Sequence, residues 1–253
     1  ATRKGKLPID LMGPWFRATN WPKIWANLNV QLTYLPMAVA NQADIGNTLF
    51  EFIDKNNPLF INAAKPKYRA DSATSARAFS PYSPQGFSWE YGNFLWILHN
   101  YWHHLKVNPD DQRTREKFYP ILKRGINYVL HHCELDDQGV LHTPKDISPE
   151  YEMNKVFPKV RDTAYNLGFL RWALNCAVHI NDKYELADSD AQRYTTALSQ
   201  LAALNIDQKS GIMIGEGVKL EKAHRHYSHL VGLYPIRQMN LDDAKEYALA
   251  KKT

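Results

Sequence analysis

Three histidines, an arginine and a glutamate fall within nine residues in Glu221-Lys222-Ala223-His224-Arg225-His226-Tyr227-Ser228-His229. A solvated helix face has no need of such a cluster, which is better suited to lining a ligand pocket. The run lies between Gly211, Gly215 and Gly217 on one side and the apolar Leu230-Val231-Gly232-Leu233-Tyr234-Pro235 on the other, so its polar groups arrive at the mouth of a buried element. Arg225 offers a planar fork of donors for sugar hydroxyls or an anion, and His226 supports it. His226 and His229 are three apart and face one way if helical, but no carboxylate or cysteine at ligand spacing completes a metal set, so no metal is expected. The structural alternative is that these histidines cap the following helix or satisfy buried carbonyls.

Two further stretches carry possible chemistry. In Asp146-Ile147-Ser148-Pro149-Glu150-Tyr151, a glutamate after Ser-Pro and beside a tyrosine is placed to be partly desolvated, which lets a carboxyl keep its proton and act as a general acid. The plainer reading is a solvated loop carboxylate, with Asp146 and Glu152 as equally anonymous neighbours. In Trp25-Ala26-Asn27-Leu28-Asn29-Val30-Gln31-Leu32-Thr33-Tyr34, amides alternate with apolar residues. If the stretch is extended, Asn27, Asn29 and Gln31 share one face while Leu28, Val30 and Leu32 face the core. A row of uncharged amides holds a water or sugar hydroxyls through both donors and acceptors. Solvated amides on an amphipathic strand or helix start are the alternative.

The elements that must position these groups read as helices. Apolar residues recur at spacings of three and four over Pro22 to Ala40, Ile45 to Asp54, Phe87 to Leu105, Asp110 to Cys133, Asp162 to Asn181, Asp188 to Leu204, Tyr227 to Leu233 and Leu241 to Lys251. Capping residues precede three of them, at Asn108-Pro109-Asp110, Asp162 and Asp188-Ser189-Asp190. Long turn-rich loops, Ala63 to Gln85 and Asp136 to Pro158, separate the helices. Loops longer than about twelve residues in a compact domain are usually functional or disordered. The pattern predicts an all-α chain of helical hairpins whose long loops gather around a pocket, in one domain over 1–253.

Composition narrows the function classes. The chain has 253 residues, 44% of them hydrophobic, and its apolar runs fall far short of the roughly 20 residues that span a membrane. Membrane insertion is not expected. No signal peptide is visible after the basic first residues. The net charge is +5, but lysines and arginines alternate with acids along the chain, which argues against nucleic acid as a partner. Cys133 and Cys176 are too few for a disulfide framework or thiolate site and read as buried thiols. Seven Trp, fourteen Tyr and ten Phe include several rings beside polar residues, the arrangement that stacks on sugars.

Taken in order, these motifs resemble the catalytic domain of glycoside hydrolase family 95, the α-L-fucosidase and α-L-galactosidase family. Leu7-Pro8-Ile9-Asp10-Leu11-Met12-Gly13-Pro14-Trp15 is similar to the family's first segment, and Trp25 to Tyr34 to its Trp-Asn-Ile-Asn-Leu-Gln-Met-Asn-Tyr stretch, with Asn27 and Asn29 in register. Trp96, Trp102 and His104 fit the helix bearing Trp-Glu-His-Tyr, Tyr119 to Lys123 fits the next helix, and Ser148-Pro149-Glu150 fits Ser-Pro-Glu-Asn. His224 to Leu230 with Gly232 to Pro235 resembles His-Arg-His-Leu-Ser-His-Leu.

The resemblance implies an (α/α)6 toroid and inverting hydrolysis of an α-linked sugar in an oligo- or polysaccharide, without a cofactor. By the same resemblance Glu150 protonates the leaving oxygen, Asn27 and Asn29 hold the attacking water, and Arg225 and His226 touch the sugar, with His229, Trp25 and Trp96 as further substrate contacts. Inversion needs a second carboxyl roughly 6.5 to 9.5 Å from the first. The family's base follows the histidine motif, so the chain is expected to be an incomplete toroid, with the rest of its catalytic domain as a partner. Three departures bear on the choice of sugar: Tyr151 stands for the motif Asn, His103 for the Glu before His104, and the His-His-Thr-Asp segment has no counterpart near Ala76 to Gly86. The residues leave the compartment open, while the resemblance favours a periplasmic or secreted one. Two alternatives use the same residues: an inverting phosphorylase, in which phosphate replaces water and Arg225, His226 and His229 bind it, and a noncatalytic carbohydrate-binding remnant.

Overall fold

Helix-forming periodicity and short capping residues shape most of the chain, as seen in a computed structural model that describes residues 5–11, 13, 23–80, 90–149, 151, 160–222 and 226–253. The protein is mostly helical, with a few two-residue strands. Its contacts divide it into two compact units. One holds the described residues of Ala1–Trp89 and Asn93–Tyr128, the other Glu90–Gly92 and Val129–Thr253.

In the first unit, β1 (Ile24–Trp25) leads by a turn into α1 (Asn29–Val39), followed by α2 (Ala43–Lys55) and α3 (Asn57–Ala63). β2 (Ala78–Phe79) returns antiparallel to β1, pairing Ile24 with Phe79 and Trp25 with Ala78. α4 (Gly92–Val107) follows. Then α5 (Asp111–Arg113), a π-helical turn over Thr114–Phe118 and α6 (Tyr119–Leu130) run on from one another. The expected cap is present, since Asp110 Oδ1 accepts from the Arg113 N–H at 2.8 Å. Rings make the core: Phe50 stacks on Tyr101 at 4.7 Å and Phe60 on Phe94 at 5.0 Å, while Phe79 meets Phe60 edge-on. Each such pair contributes about 0.5–1.5 kcal/mol beyond the area it buries. A partly buried network of Asp54, Tyr101 and Arg113 ties α2, α4 and α5 together, with Tyr101 Oη and Arg113 Nε donating to the Asp54 carboxylate at 2.8 and 2.9 Å.

The second unit is built on α7 (Ala164–Lys183), which packs along α8 (Asp190–Gln200) and buries Leu167, Phe169, Leu170, Ala173, Leu174, Ala177 and Ile180. Two hairpins, β3 (Glu134–Leu135) with β4 (Leu141–His142) and β5 (Ile206–Asp207) with β6 (Gly211–Ile212), flank it in sequence. α9 (Ala244–Lys252) closes the chain and is capped by Asp243. The stretch after the histidine motif lies close on α7. A Cβ at Gly168 would stand 3.0 Å from Val231 Cγ2 and 3.3 Å from Ile236 Cδ1, so a larger residue there would have to push these side chains aside.

Several expectations are corrected. The alternating amide stretch is not extended: only Ile24–Trp25 is strand, 26–28 turn, and the helix begins at Asn29, so Leu32 is exposed at 44%. α3 was not anticipated; Pro58 sits in its first turn, where a missing N–H costs no helical bond. The helix expected over Tyr227 to Leu233 is a single 3-10 turn, Ser228–Leu230, followed by further turns, and Tyr227 before it adopts the left-handed region at φ 46°, ψ 36°. Thr163, not Asp162, caps α7, accepting from the Asn166 N–H at 3.2 Å. The Asp162 carboxylate is engaged instead by the Thr143 N–H at 2.7 Å and by His142. The loop from Asp136 contains the turn and second strand of the β3–β4 hairpin, stabilised by Asp136 Oδ1 accepting from the N–H groups of Gln138 and Val140. Cys176 is buried, but Cys133 follows the end of α6 and is half-buried. The expected helix starts at Pro22 and Phe87 lie outside the described residues.

Candidate functional site

Asn27 occupies the turn between β1 and α1 and is fully buried, at 0% exposure. Neither its Oδ1 nor its Nδ2 meets a hydrogen-bonding partner among the described residues. An amide buried in that state costs roughly 1–3 kcal/mol per unsatisfied group, so a native fold retains it where a bound water or ligand completes it. The turn is held by Gln31, whose Nε2 donates to Ala26 O at 2.5 Å, and by the Ala26 N–H donating to Arg77 O at 2.5 Å. Asn100 Nδ2 donates to Gln31 O at 2.6 Å. The acceptors Gln31 Oε1 and Asn100 Oδ1 are also buried and unsatisfied among the described residues.

Asn29, by contrast, is exposed at the start of α1. With half-buried Trp25 it lines a pocket of about 290 Å³ together with Ile9, Asp10, Leu28 and Thr33. The first segment is fixed beside this pocket, the Ile9 N–H donating to Tyr34 Oη at 2.8 Å and the Leu11 N–H to Lys23 O at 3.2 Å. Trp96 is buried in α4.

In the second unit, the Ser-Pro-Glu loop and the histidine motif are fastened to each other. Ser148 Oγ and Ser228 Oγ share a short hydrogen bond, and both side chains are buried. Tyr151 Oη donates to Lys219 O at 3.2 Å and accepts from the Glu221 N–H at 3.1 Å. The residues two before and one after Glu150 are therefore both pinned to the 219–228 stretch. His229, the neighbour of Ser228, is 2% exposed, and neither ring nitrogen has a partner among the described residues. Burial lowers its pKa to about 4, so it is neutral at pH 7. A neutral imidazole carries one donor and one acceptor, which matches a sugar hydroxyl. His226 is half-buried.

Sequence reasoning passed over Asp146 and Asn166. Asp146 is buried, and its Oδ2 accepts from the Tyr91 N–H at 2.8 Å and from Asn166 Nδ2 at 2.9 Å. Asn166 Oδ1 in turn accepts from the Gly92 N–H at 3.0 Å. Burial raises the Asp146 pKa from its ordinary 3.8 to about 8; nearby Glu90 pushes the same way, and the donated hydrogen bonds oppose both. The sign for stability follows directly. Between about pH 4 and pH 8 the folded protein keeps a proton that the unfolded chain releases, so this group's contribution is fully present below pH 4 and is lost as pH rises to 8. The slope approaches about 1.4 kcal/mol per pH unit. Urea denaturation from pH 5 to pH 8 is expected to show that fall, and Asp146→Asn to flatten it; an equal slope in both proteins would contradict the assignment. The sequence signal that marks these residues is an acid four positions before the motif glutamate and an Asn in the first turn of a capped helix.

Of the residues expected in a site, Asn27, Asn29, Trp25 and Trp96 thus lie in the first unit and His226 and His229 in the second, whereas Glu150, His224 and Arg225 lie outside the described residues. No group of three or more His, Cys, Asp or Glu side chains among the described residues is arranged to hold a metal ion.

Comparison with known proteins decides the family. The model of the glycosyl hydrolase family 95 catalytic domain matches residues 1–253. The chain belongs to this family. An alpha-L-fucosidase 2 of Arabidopsis thaliana is 22% identical over 271 residues, an alignment that takes in 99% of this chain and 32% of the relative. The chain spans about a third of that relative's length.

Proposed function

We propose that this protein is a glycoside hydrolase that cleaves an α-linked sugar, of the α-L-fucoside or α-L-galactoside kind, in an oligo- or polysaccharide with inversion. Residues 1–253 form the larger part of one catalytic domain of the (α/α)6 toroid type. Glu150 gives its proton to the leaving oxygen, and Asn27 and Asn29 hold the water that attacks the anomeric carbon. Arg225, His226 and His229 bind sugar hydroxyls, and Trp25 supplies an apolar face. The carboxylate that draws the proton from the water comes from outside these 253 residues. The observation that carries this reading, beside family membership, is the double fastening of Ser148 and Tyr151, which surround Glu150, to the stretch ending in neutral, buried His229. A general acid must be held still relative to the sugar it protonates, and two fixed shoulders achieve that.

The test is turnover of p-nitrophenyl α-L-fucoside and α-L-galactoside by the full-length protein with and without inorganic phosphate. Free sugar released at a rate indifferent to phosphate is expected. Cleavage that requires phosphate and yields a sugar phosphate would make the protein a phosphorylase. Saturable sugar binding by calorimetry without turnover would make it a carbohydrate-binding protein.

A further inference from the structure

Family membership gives Glu150 a role but says nothing of Asp146, whose carboxyl is enclosed at the stem of the same loop. The Asp146 N–H donates to Val160 O at 3.0 Å and the Val160 N–H to Asp146 O at 2.7 Å, so the backbone is clamped at these two residues. The side chain adds three contacts: Oδ2 accepts from Tyr91 N–H and Asn166 Nδ2, and Oδ1 from its neighbour Ile147 N–H at 2.7 Å. Asn166 cannot turn its amide over, because its Oδ1 is held by the Gly92 N–H. The approach is close. A Cβ at Gly92 would stand 2.6 Å from Tyr165 Cε1 and 3.1 Å from Asn166 Oδ1, so a larger residue would have to displace the Tyr165 ring.

We infer that Asp146, locked by Asn166 and the Tyr91 peptide, is a positioning residue that sets the loop bearing Glu150 in place for proton transfer. The inference rests on the reading of Glu150 as the general acid. The chemistry explains why a carboxyl stands here. Three N–H groups converge on it, two on Oδ2 and one on Oδ1, and a carboxyl, unlike an amide, has no NH2 to set against them. Asparagine at 146 would turn an NH2 toward the Asn166 NH2 or toward a backbone N–H, leaving two donors facing each other. The carboxyl is tolerated in a buried place near Glu90 because it closes the loop stem in one geometry.

The test uses Asp146→Asn in the full-length protein, on methyl and 2,4-dinitrophenyl α-L-fucosides. A good leaving group departs without protonation, so a misplaced acid slows the methyl glycoside alone. For Asp146→Asn we expect kcat on the methyl glycoside to fall on the order of 10²-fold with KM within about twofold, and the dinitrophenyl glycoside to lose less than about fivefold. Hydrogen exchange at the Ile147, Ser148 and Tyr151 amides should rise. Equal slowing of both glycosides would reduce Asp146 to a structural role and overturn the inference, as would unchanged kcat and exchange. Asp146→Ser serves as the second variant if the asparagine protein does not fold, with the same split expected between leaving groups. Glu150→Gln is the control that separates the two readings. If it retains full activity, the acid assignment fails and the exchange data alone decide whether Asp146 holds the loop.

Discussion

Glu150→Gln is expected to lower turnover of an alkyl α-glycoside by roughly 10²- to 10⁴-fold, the range that general acid catalysis contributes, with little change in stability. Glutamine keeps the size and hydrogen-bonding shape of the side chain and removes the proton that the leaving oxygen needs. An alkoxide leaving group is too basic to depart unaided, so the loss appears in kcat. The basic limb of the pH–rate profile, which reports ionisation of the acid, should vanish in the variant. The neighbouring contacts, Ser148 to Ser228 and Tyr151 to Lys219 and Glu221, do not involve the carboxyl and should keep the loop in place. Kinetics on a methyl glycoside with circular dichroism and a denaturation midpoint check both halves. A variant as active as the parent would remove Glu150 from the mechanism.

The second large effect joins function to stability with opposite signs. Asn27→Leu is expected to hold or raise stability by up to about 1–3 kcal/mol while lowering kcat by roughly 10- to 100-fold. The buried amide makes no hydrogen bond to described residues, so leucine, which sets methyls where the amide oxygen and nitrogen stand, breaks no such bond there and relieves the cost of a dry polar group. If the amide exists to hold the attacking water, its removal leaves that water unplaced. The backbone around it should survive, since Gln31 Nε2 to Ala26 O and Ala26 N–H to Arg77 O carry the turn. Loss of more than about 2 kcal/mol of stability with activity retained would make Asn27 a structural residue.

The contrast between Asn27 and Asn29 shows what the sequence made legible and what it did not. The residue types and their order pointed to family 95, and the all-helix character followed from apolar spacing and from caps such as Asp110. The direction of each amide did not follow, because a two-residue alternation reads the same whether a strand continues or a helix starts at Asn29. Burial of Asn27 beside exposure of Asn29 depends on β1 pairing with β2 some fifty residues away, a tertiary contact with no local signal. In the histidine motif, i and i+3 spacing suggested a helix, yet a single 3-10 turn follows the left-handed Tyr227, with His229 enclosed. Asp146 looked like any loop acid, since only the Tyr91 and Asn166 donors, distant in sequence, distinguish it.

The central claim is inverting cleavage of an α-linked sugar with protonation by Glu150, and the anomer formed first is its most direct measure. Proton NMR of the full-length protein acting on p-nitrophenyl α-L-fucoside or α-L-galactoside should show the β-anomer appearing first, with the α-anomer growing in later by mutarotation. First appearance of the α-anomer would mean retention through a covalent intermediate and would contradict the account.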